Sequence, residues 1–268
     1  MTISFNNLGN LGRLGNQMFQ YAALKGIALK HEYEYCIPPR DLFGRNDQNV
    51  RYSECILYDV FDLEKKNVVK VTSNSFLQEG QFHVNEEILE NCPDNVDLYG
   101  YFQSEKYFSH VKSEIKEDFT FKPDLLFDCK NFFKDSFDTQ EVISLHIRRG
   151  DYVVNGNHPV QSIEYYENAL SQFSKSIPVL VFSDDPLWCS EQELFKPDRF
   201  YISQGNATET DLCLMSLATY HIIANSSFSW WGAWLSNSKK VIAPQKWFAG
   251  DCINHNTKDL YCSNWILL

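Results

Sequence analysis

The chain has 268 residues, 44% of them hydrophobic and 15% aromatic, with a formal net charge of -11 at pH 7. A chain of this length and apolar content buries a sizeable core and is not a disordered protein. The acidic balance excludes a general nucleic-acid binder, whose footprint is a basic face, but leaves room for a local anion site.

In chain order, the opening MTISFNNLGN lacks a basic segment followed by an apolar one, so no export signal is read there. No apolar run approaches the roughly 20 residues of a membrane span. A cytoplasmic protein is expected, any inner-membrane association being peripheral and through partners. Eight cysteines occur, none in a CxxC pair, so thiols are expected rather than disulfides. No His/Cys spacing suits structural zinc, and no metal site is expected.

Thr2 to Asn6 reads as a strand. The glycine-rich loop Gly9-Asn10-Leu11-Gly12-Arg13-Leu14-Gly15-Asn16-Gln17 follows it. It is neither GxGxxG nor a Walker loop, and by itself it marks only a tight strand-to-helix turn. Asn16 to Lys30 is a helix candidate, with Met18, Tyr21, Ala22, Leu24 and Leu29 for an apolar face. Tyr33 to Ile37 reads as a second strand. Arg40 to Tyr52 carries no readable motif, and acceptor recognition is expected in this irregular first half. Asn85 to Asn91 and Ser104 to Phe119 read as helices, with a strand at Asp97 to Phe102 between them. Lys122 to Thr139, rich in Asp, Phe and Lys, resists assignment. The domain boundary is placed there, giving domains 1–138 and 139–268.

The second half alternates strand and helix. Strands are expected at Val142 to Ile147, Pro178 to Phe182, Arg199 to Ile202, Tyr220 to Ala224 and Lys240 to Ala243. Helices are expected at Ile163 to Phe173, at Leu187 to Leu194 after Pro186, at Glu209 to Leu217 with Thr208 as N-cap, and at Phe228 to Ser236. Such alternation implies βαβ units and a doubly wound, Rossmann-like parallel sheet.

Three segments of this half fall at strand ends, where parallel sheets bind ligands. In His146-Ile147-Arg148-Arg149-Gly150-Asp151-Tyr152 the two guanidinium forks suit phosphate oxygens. In Ser183-Asp184-Asp185 one acid can cap the next helix while the other meets a ligand. In Asn225-Ser226-Ser227-Phe228 a helix opens, and its free N–H groups favour an anion. The tryptophans that follow, Trp230, Trp231 and Trp234, read as packing. No DxD tripeptide occurs. A site in which arginines rather than a divalent ion neutralise a leaving diphosphate is therefore expected.

The block Gly12 to Ala22, the segment His146 to Tyr152 and the block Asn225 to Leu235 together resemble the family 11 glycosyltransferases, the α-1,2-fucosyltransferases. Without the anchor of the animal enzymes, the chain is similar to bacterial members. The resemblance implies a GT-B-like α/β fold of two Rossmann-like domains facing a cleft, with 1–138 on the acceptor side and 139–268 binding GDP-fucose. It implies inverting transfer from GDP-β-L-fucose to the 2-hydroxyl of a galactose-terminated surface glycan, with no metal and no further cofactor. Carried over by motif, Arg148 and Arg149 meet the diphosphate and His146 and Asp184 the guanosine. Ser226, Ser227 and Phe228 line the phosphate pocket, and Asn16 and Gln17 face the donor. Asp151 is the first candidate for the base, ahead of His158 and Glu164. Its alternative role is a salt bridge that orients an arginine. Two other readings stand beside this one: a non-catalytic nucleotide-sugar binder, and a transferase for another GDP-sugar.

Overall fold

A computed structural model describes residues 1–38, 55–63, 75–137 and 141–268. The segment Arg40 to Tyr52 and the expected boundary at 138/139 lie outside the described residues. The chain forms two compact units. One comprises Met1–Lys122 with Asn256–Cys262, the other Pro123–His255 with Ser263–Leu268.

The first unit is built on four parallel strands. β1 (Thr2–Ser4) leads through α1 (Leu14–Lys30) to β2 (Glu34–Cys36), and α2 (Leu57–Val60) precedes β3 (Ser75–Gln78). Then come α3 (Glu86–Asn91), β4 (Val96–Tyr99) and α4 (Lys112–Asp118). The strand order is β2-β1-β4-β3. α1 is buried around most of its circumference, including Gln17 and Gln20, because its sequence is apolar or small on nearly every side. Asn85 caps α3 by accepting from the N–H of Ile88. The expected helix Ser104 to Phe119 is instead two 3-10 turns, Glu105–Tyr107 and Ser109–Val111, followed by α4. Phe108, at φ -138°, breaks the helical path between the two turns.

The second unit opens with α5 (Pro123–Ser136), in the stretch that resists assignment from sequence. Only Cys129 of this helix is buried, while Phe127 and Phe132 are 65% and 39% exposed. Its aromatic residues therefore mark no single inward stripe, which hides the helix from pattern reading. Then follow β5 (Ile143–Ile147), α6 (Ile163–Leu170), β6 (Val179–Ser183), α7 (Pro186–Glu191) and β7 (Phe200–Ile202). α8 (Thr208–Leu217), β8 (Tyr220–Ile222), α9 (Ser227–Leu235), β9 (Lys240–Ala243) and β10 (Ile266–Leu267) complete it. Thr208 does not cap α8: it is the first helical residue, after Ala207, and no side chain makes the cap bond.

All six strands of the second unit are parallel, in the order β10-β9-β8-β5-β6-β7. Every residue of β5 is buried, as expected for a parallel strand covered on both faces. Ile143, Leu145, Ile147, Val179, Val181, Ile222 and Ile242 form its core with Tyr166 and Ala169 of α6. The chain runs outward from β5 to β6 and β7, then returns to the other side of β5 for β8, β9 and β10. The order reverses between β5 and β8. In an open parallel sheet, ligands bind in the crevice at that reversal, outside the carboxyl ends of the strands.

Candidate active site

The loops at the carboxyl ends of β6, β5 and β8 lie side by side, because those three strands are neighbours in the sheet. Arg148 and Arg149 follow β5 directly and enter a 3-10 turn, Gly150–Val153. Asp184, just past β6, organises them. Its carboxylate accepts from the backbone N–H of Arg149 at 2.8 Å and pairs with Arg148 Nη1 at 2.9 Å. Arg148 Nη2 pairs with Asp151. The Arg148 guanidinium also lies 5.2 Å from the centre of the Tyr152 ring. Two carboxylates thus hold Arg148 from two sides, and it keeps further N–H donors of its five for another partner. Gly150 leaves room for this carboxylate: a Cβ there would lie 2.3 Å from Asp184 Oδ2 and force it to shift.

Arg149 is held differently. Its Nε bonds Asp185 Oδ2 at 3.0 Å, and its guanidinium stacks 3.9 Å from the centre of the Trp188 ring. Asp185 also caps α7, accepting from the N–H of Trp188 at 3.2 Å, with Pro186 at the first helical position. Of the acid pair, Asp185 caps and Asp184 holds the arginine loop.

His146 is buried near the end of β5. Burial, and next the Arg148 charge, push its imidazole down to about 3, so it is neutral at pH 7. Its Nδ1 has no hydrogen-bond partner within the protein, and its ring lies 5.8 Å from that of Phe228. Ser226 caps α9 by accepting from the N–H of Phe228 at 3.3 Å, and Ser227 opens the helix. Trp230, Trp231 and Trp234 of α9 are core residues.

Asn225 ties three loops together. Its Nδ2 donates to the carbonyls of Pro159 and Trp247, both at 3.0 Å, and its own carbonyl accepts from the Tyr152 hydroxyl at 3.1 Å. His158 stacks on Tyr152 at 5.0 Å and contacts Phe248 at 5.5 Å. Burial lowers the His158 pKa, the Asp151 charge opposes that shift, and the Arg148 charge adds to it. Glu164 is exposed in the first turn of α6, where a hydrogen bond with Ser162 lowers its pKa. That is a helix-end role.

In the first unit, the glycine-rich loop passes through Gly12 at φ +92°, a left-handed conformation suited to glycine. Asn16 is half-buried, and its Oδ1 accepts from Gln103 Nε2 at 2.8 Å. Gln17 is 1% exposed, and its Oε1 accepts from the backbone N–H of Ile56 at 2.9 Å. The family resemblance implies that both face the donor; within its own unit Gln17 is tied to Ile56.

Sequence reasoning missed Trp188, Tyr152 and the three-way tie at Asn225. Trp188 lies three residues past the acid pair, so a cation–π partner for Arg149 was within reach of the motif. Nothing local connects Asn225 to Pro159 or Trp247. None of the eight cysteines forms a disulfide. Among the described residues, no group of three His, Cys, Asp or Glu side chains could hold a metal ion, and no helix is long and apolar enough to cross a membrane.

Two parallel sheets with helices, each placing its polar loops at the carboxyl ends of its strands, define a GT-B-like α/β protein. A crystal structure of the NodZ alpha-1,6-fucosyltransferase soaked with GDP-fucose has a similar fold, with a TM-score of 0.55 and 11% identity over 88% of this chain and 92% of that one. In sequence, the chain is 35% identical over 272 residues to an alpha-1,2-colitosyltransferase of Escherichia coli, covering 91% of this chain and 92% of the relative. It is 31% identical over 305 residues to the O-antigen biosynthesis glycosyltransferase WbnK of Escherichia coli, covering 96% and 98%. The model of glycosyl transferase family 11 matches residues 2–268. The chain belongs to glycosyl transferase family 11 and is a glycosyltransferase.

Proposed function

We propose that this enzyme transfers L-fucose from GDP-β-L-fucose, with inversion, to the 2-hydroxyl of a terminal β-galactoside in surface-glycan synthesis. The observation that carries the reading is Arg148, held between Asp184 and Asp151 at the reversal point of the second sheet. Departure of GDP develops negative charge on the diphosphate. A permanent cation already fixed in place stabilises that charge without reorganising at the moment of reaction. Arg149, clamped on Trp188, adds a second fixed positive charge. The positive end of α9, which opens at Ser227, suits the same anion, and Ser226, Ser227 and Phe228 are assigned to its pocket. Neutral His146 and the Phe228 ring suit a nucleobase rather than a phosphate.

Asp151 is assigned as acceptor of the proton from the galactoside hydroxyl. Its side chain is 52% exposed, and its ion pair with Arg148 fixes its orientation. Neutral His158 is the second candidate. Asn16 of the first unit is assigned to the donor by its place in the motif. With fixed arginines on the diphosphate, the reading requires no metal. GDP-fucose is the donor substrate, and no other cofactor is invoked.

The 35% identity to an α-1,2-colitosyltransferase favours one second reading. Colitose is fucose without its 3-hydroxyl, so the same linkage could be made with GDP-colitose. The test incubates the purified chain with lactose or lacto-N-biose and either GDP-fucose or GDP-colitose, and reads the product linkage by NMR. An α-1,2-fucosyl galactoside is expected. Transfer from GDP-colitose alone would replace the donor, and hydrolysis or binding without transfer would remove the acceptor assignment.

A further inference from the structure

Beneath the glycine-rich loop of the first unit lies a buried carboxylate that the proposed chemistry does not use. Glu79 follows β3 directly and is 5% exposed. Its Oε2 accepts from the backbone N–H groups of Tyr101 at 3.0 Å and Phe102 at 2.7 Å. Its Oε1 accepts from the Tyr107 hydroxyl at 3.1 Å. The chain that leaves β4 is therefore wound around this carboxylate. Phe102 sits at φ +53°, a left-handed conformation costly for an aromatic residue, and its N–H bond to Glu79 offsets part of that cost. The approach is close: a Cβ at Gly100 would lie 2.7 Å from the Cβ of Glu79.

The turn held in this way reaches the glycine-rich loop through two amides. Gln20 Nε2 donates to the Gly100 carbonyl at 3.2 Å and to the Leu11 carbonyl at 3.0 Å. Gln103 Nε2 donates to Asn16 Oδ1 at 2.8 Å. We propose that Glu79 is a positioning residue for the transfer reaction: by fixing the turn Gly100 to Gln103, it sets the loop from Leu11 to Asn16 and the orientation of the Asn16 amide. The inference rests on the assignment of Asn16 to the donor. Glu79 itself touches no substrate. A carboxylate suits the task because one oxygen can accept from two adjacent N–H groups while the other takes a hydroxyl.

The test uses the full chain. Steady-state kinetics with GDP-fucose and a galactoside are compared for Glu79→Ala, Glu79→Gln, Gln103→Leu and the Glu79→Ala/Gln103→Leu pair. Glu79→Ala and Gln103→Leu are each expected to lower kcat/KM about tenfold or more, while the pair is no worse than the poorer single variant. Glu79→Gln, which keeps a carbonyl oxygen for the two N–H groups, is expected to recover most of the activity. Losses that multiply in the double variant would overturn the proposal, as would an Ala variant with unchanged kcat/KM. If Glu79→Ala does not fold, amide NMR of an isotope-labelled chain carries the decision. Glu79→Asp, which withdraws the carboxylate by one methylene from the Tyr101 and Phe102 N–H groups, should move the resonances of Leu11 to Asn16, and shifts confined to Gly100 to Tyr107 would overturn it. That spectrum is read without turnover, so a wrong donor and a wrong role for Glu79 give different results.

Discussion

The arginine loop of the second unit and the glycine-rich loop of the first occupy equivalent places, past the ends of parallel strands beside a reversal of strand order. They are held by opposite means. Around Arg148 and Arg149 the ties are ionic, to Asp151, Asp184 and Asp185. Around Gly12 and Asn16 they are neutral amides, from Gln20 and Gln103. In the proposed transfer, the first arrangement keeps a fixed charge ready for the leaving diphosphate. The second keeps backbone and amide groups in place without adding charge. In the proposed reaction, departure of the diphosphate falls to one loop and orientation of the sugar to the other.

The sharpest way to break this comparison is Arg148→Ala. Turnover is expected to fall by ~10³-fold or more, as for loss of a main electrostatic stabiliser. The melting temperature should barely move, because Asp151 and Asp184 remain partly exposed and can be hydrated. Parallel kinetics and thermal melts check both statements, and near-normal turnover would strip the arginine loop of its role. Gly150→Ala sharpens the point without removing any charge. The new Cβ displaces Asp184, which holds both Arg148 and the Arg149 N–H. Activity is expected to fall on the order of 10²-fold, the cost of a small misplacement, with little loss of stability. Equal activity in Gly150→Ala and wild type would show that Asp184 does not set the arginine geometry.

The same contrast explains what could be read from sequence. The ISLHI run is buried on both faces, and its arginines, glycine and acid are contiguous, so strand and site were legible together. The acid pair sits at the end of a neighbouring strand, and only the sheet order was needed to bring it to the arginines. In the first unit the ties are long-range. Asn16 and Gln103 are 87 positions apart, and Gln20 and Gly100 are 80 apart. Neutral amides carry no local signature of their partners. Gln17 is a related case, because a glutamine beside a ligand loop looks the same in sequence whether it faces a ligand or is buried against Ile56.

The two regions also differ in the sign of their response to pH. Burial holds His146 neutral, down to about 3 from 6.5, so between those values the unfolded chain binds the extra proton and stability falls as pH falls. Burial, opposed by bonds from Phe102, Tyr107 and Tyr101, raises Glu79 to about 7 from 4.5, so there the folded chain binds the proton and stability falls as pH rises. Each group contributes on the order of 2 kcal/mol across the interval from about pH 5 to about pH 7, with opposite slopes. Tyr107, which faces Glu79, is itself pushed up by burial and keeps its proton throughout that interval. Denaturant unfolding at the two ends of the range can separate the contributions. His146→Asn should flatten the acid-side loss of stability, and Glu79→Gln should steepen it, because each variant removes one of two opposing slopes. His221, also buried and held down to about 4, shares the sign of His146 and is present in both variants, so it cancels from the comparison. If Glu79→Gln left the slope of the wild type unchanged, the carboxylate under the glycine-rich loop would not titrate in this range, and the contrast between the two regions would be one of geometry alone.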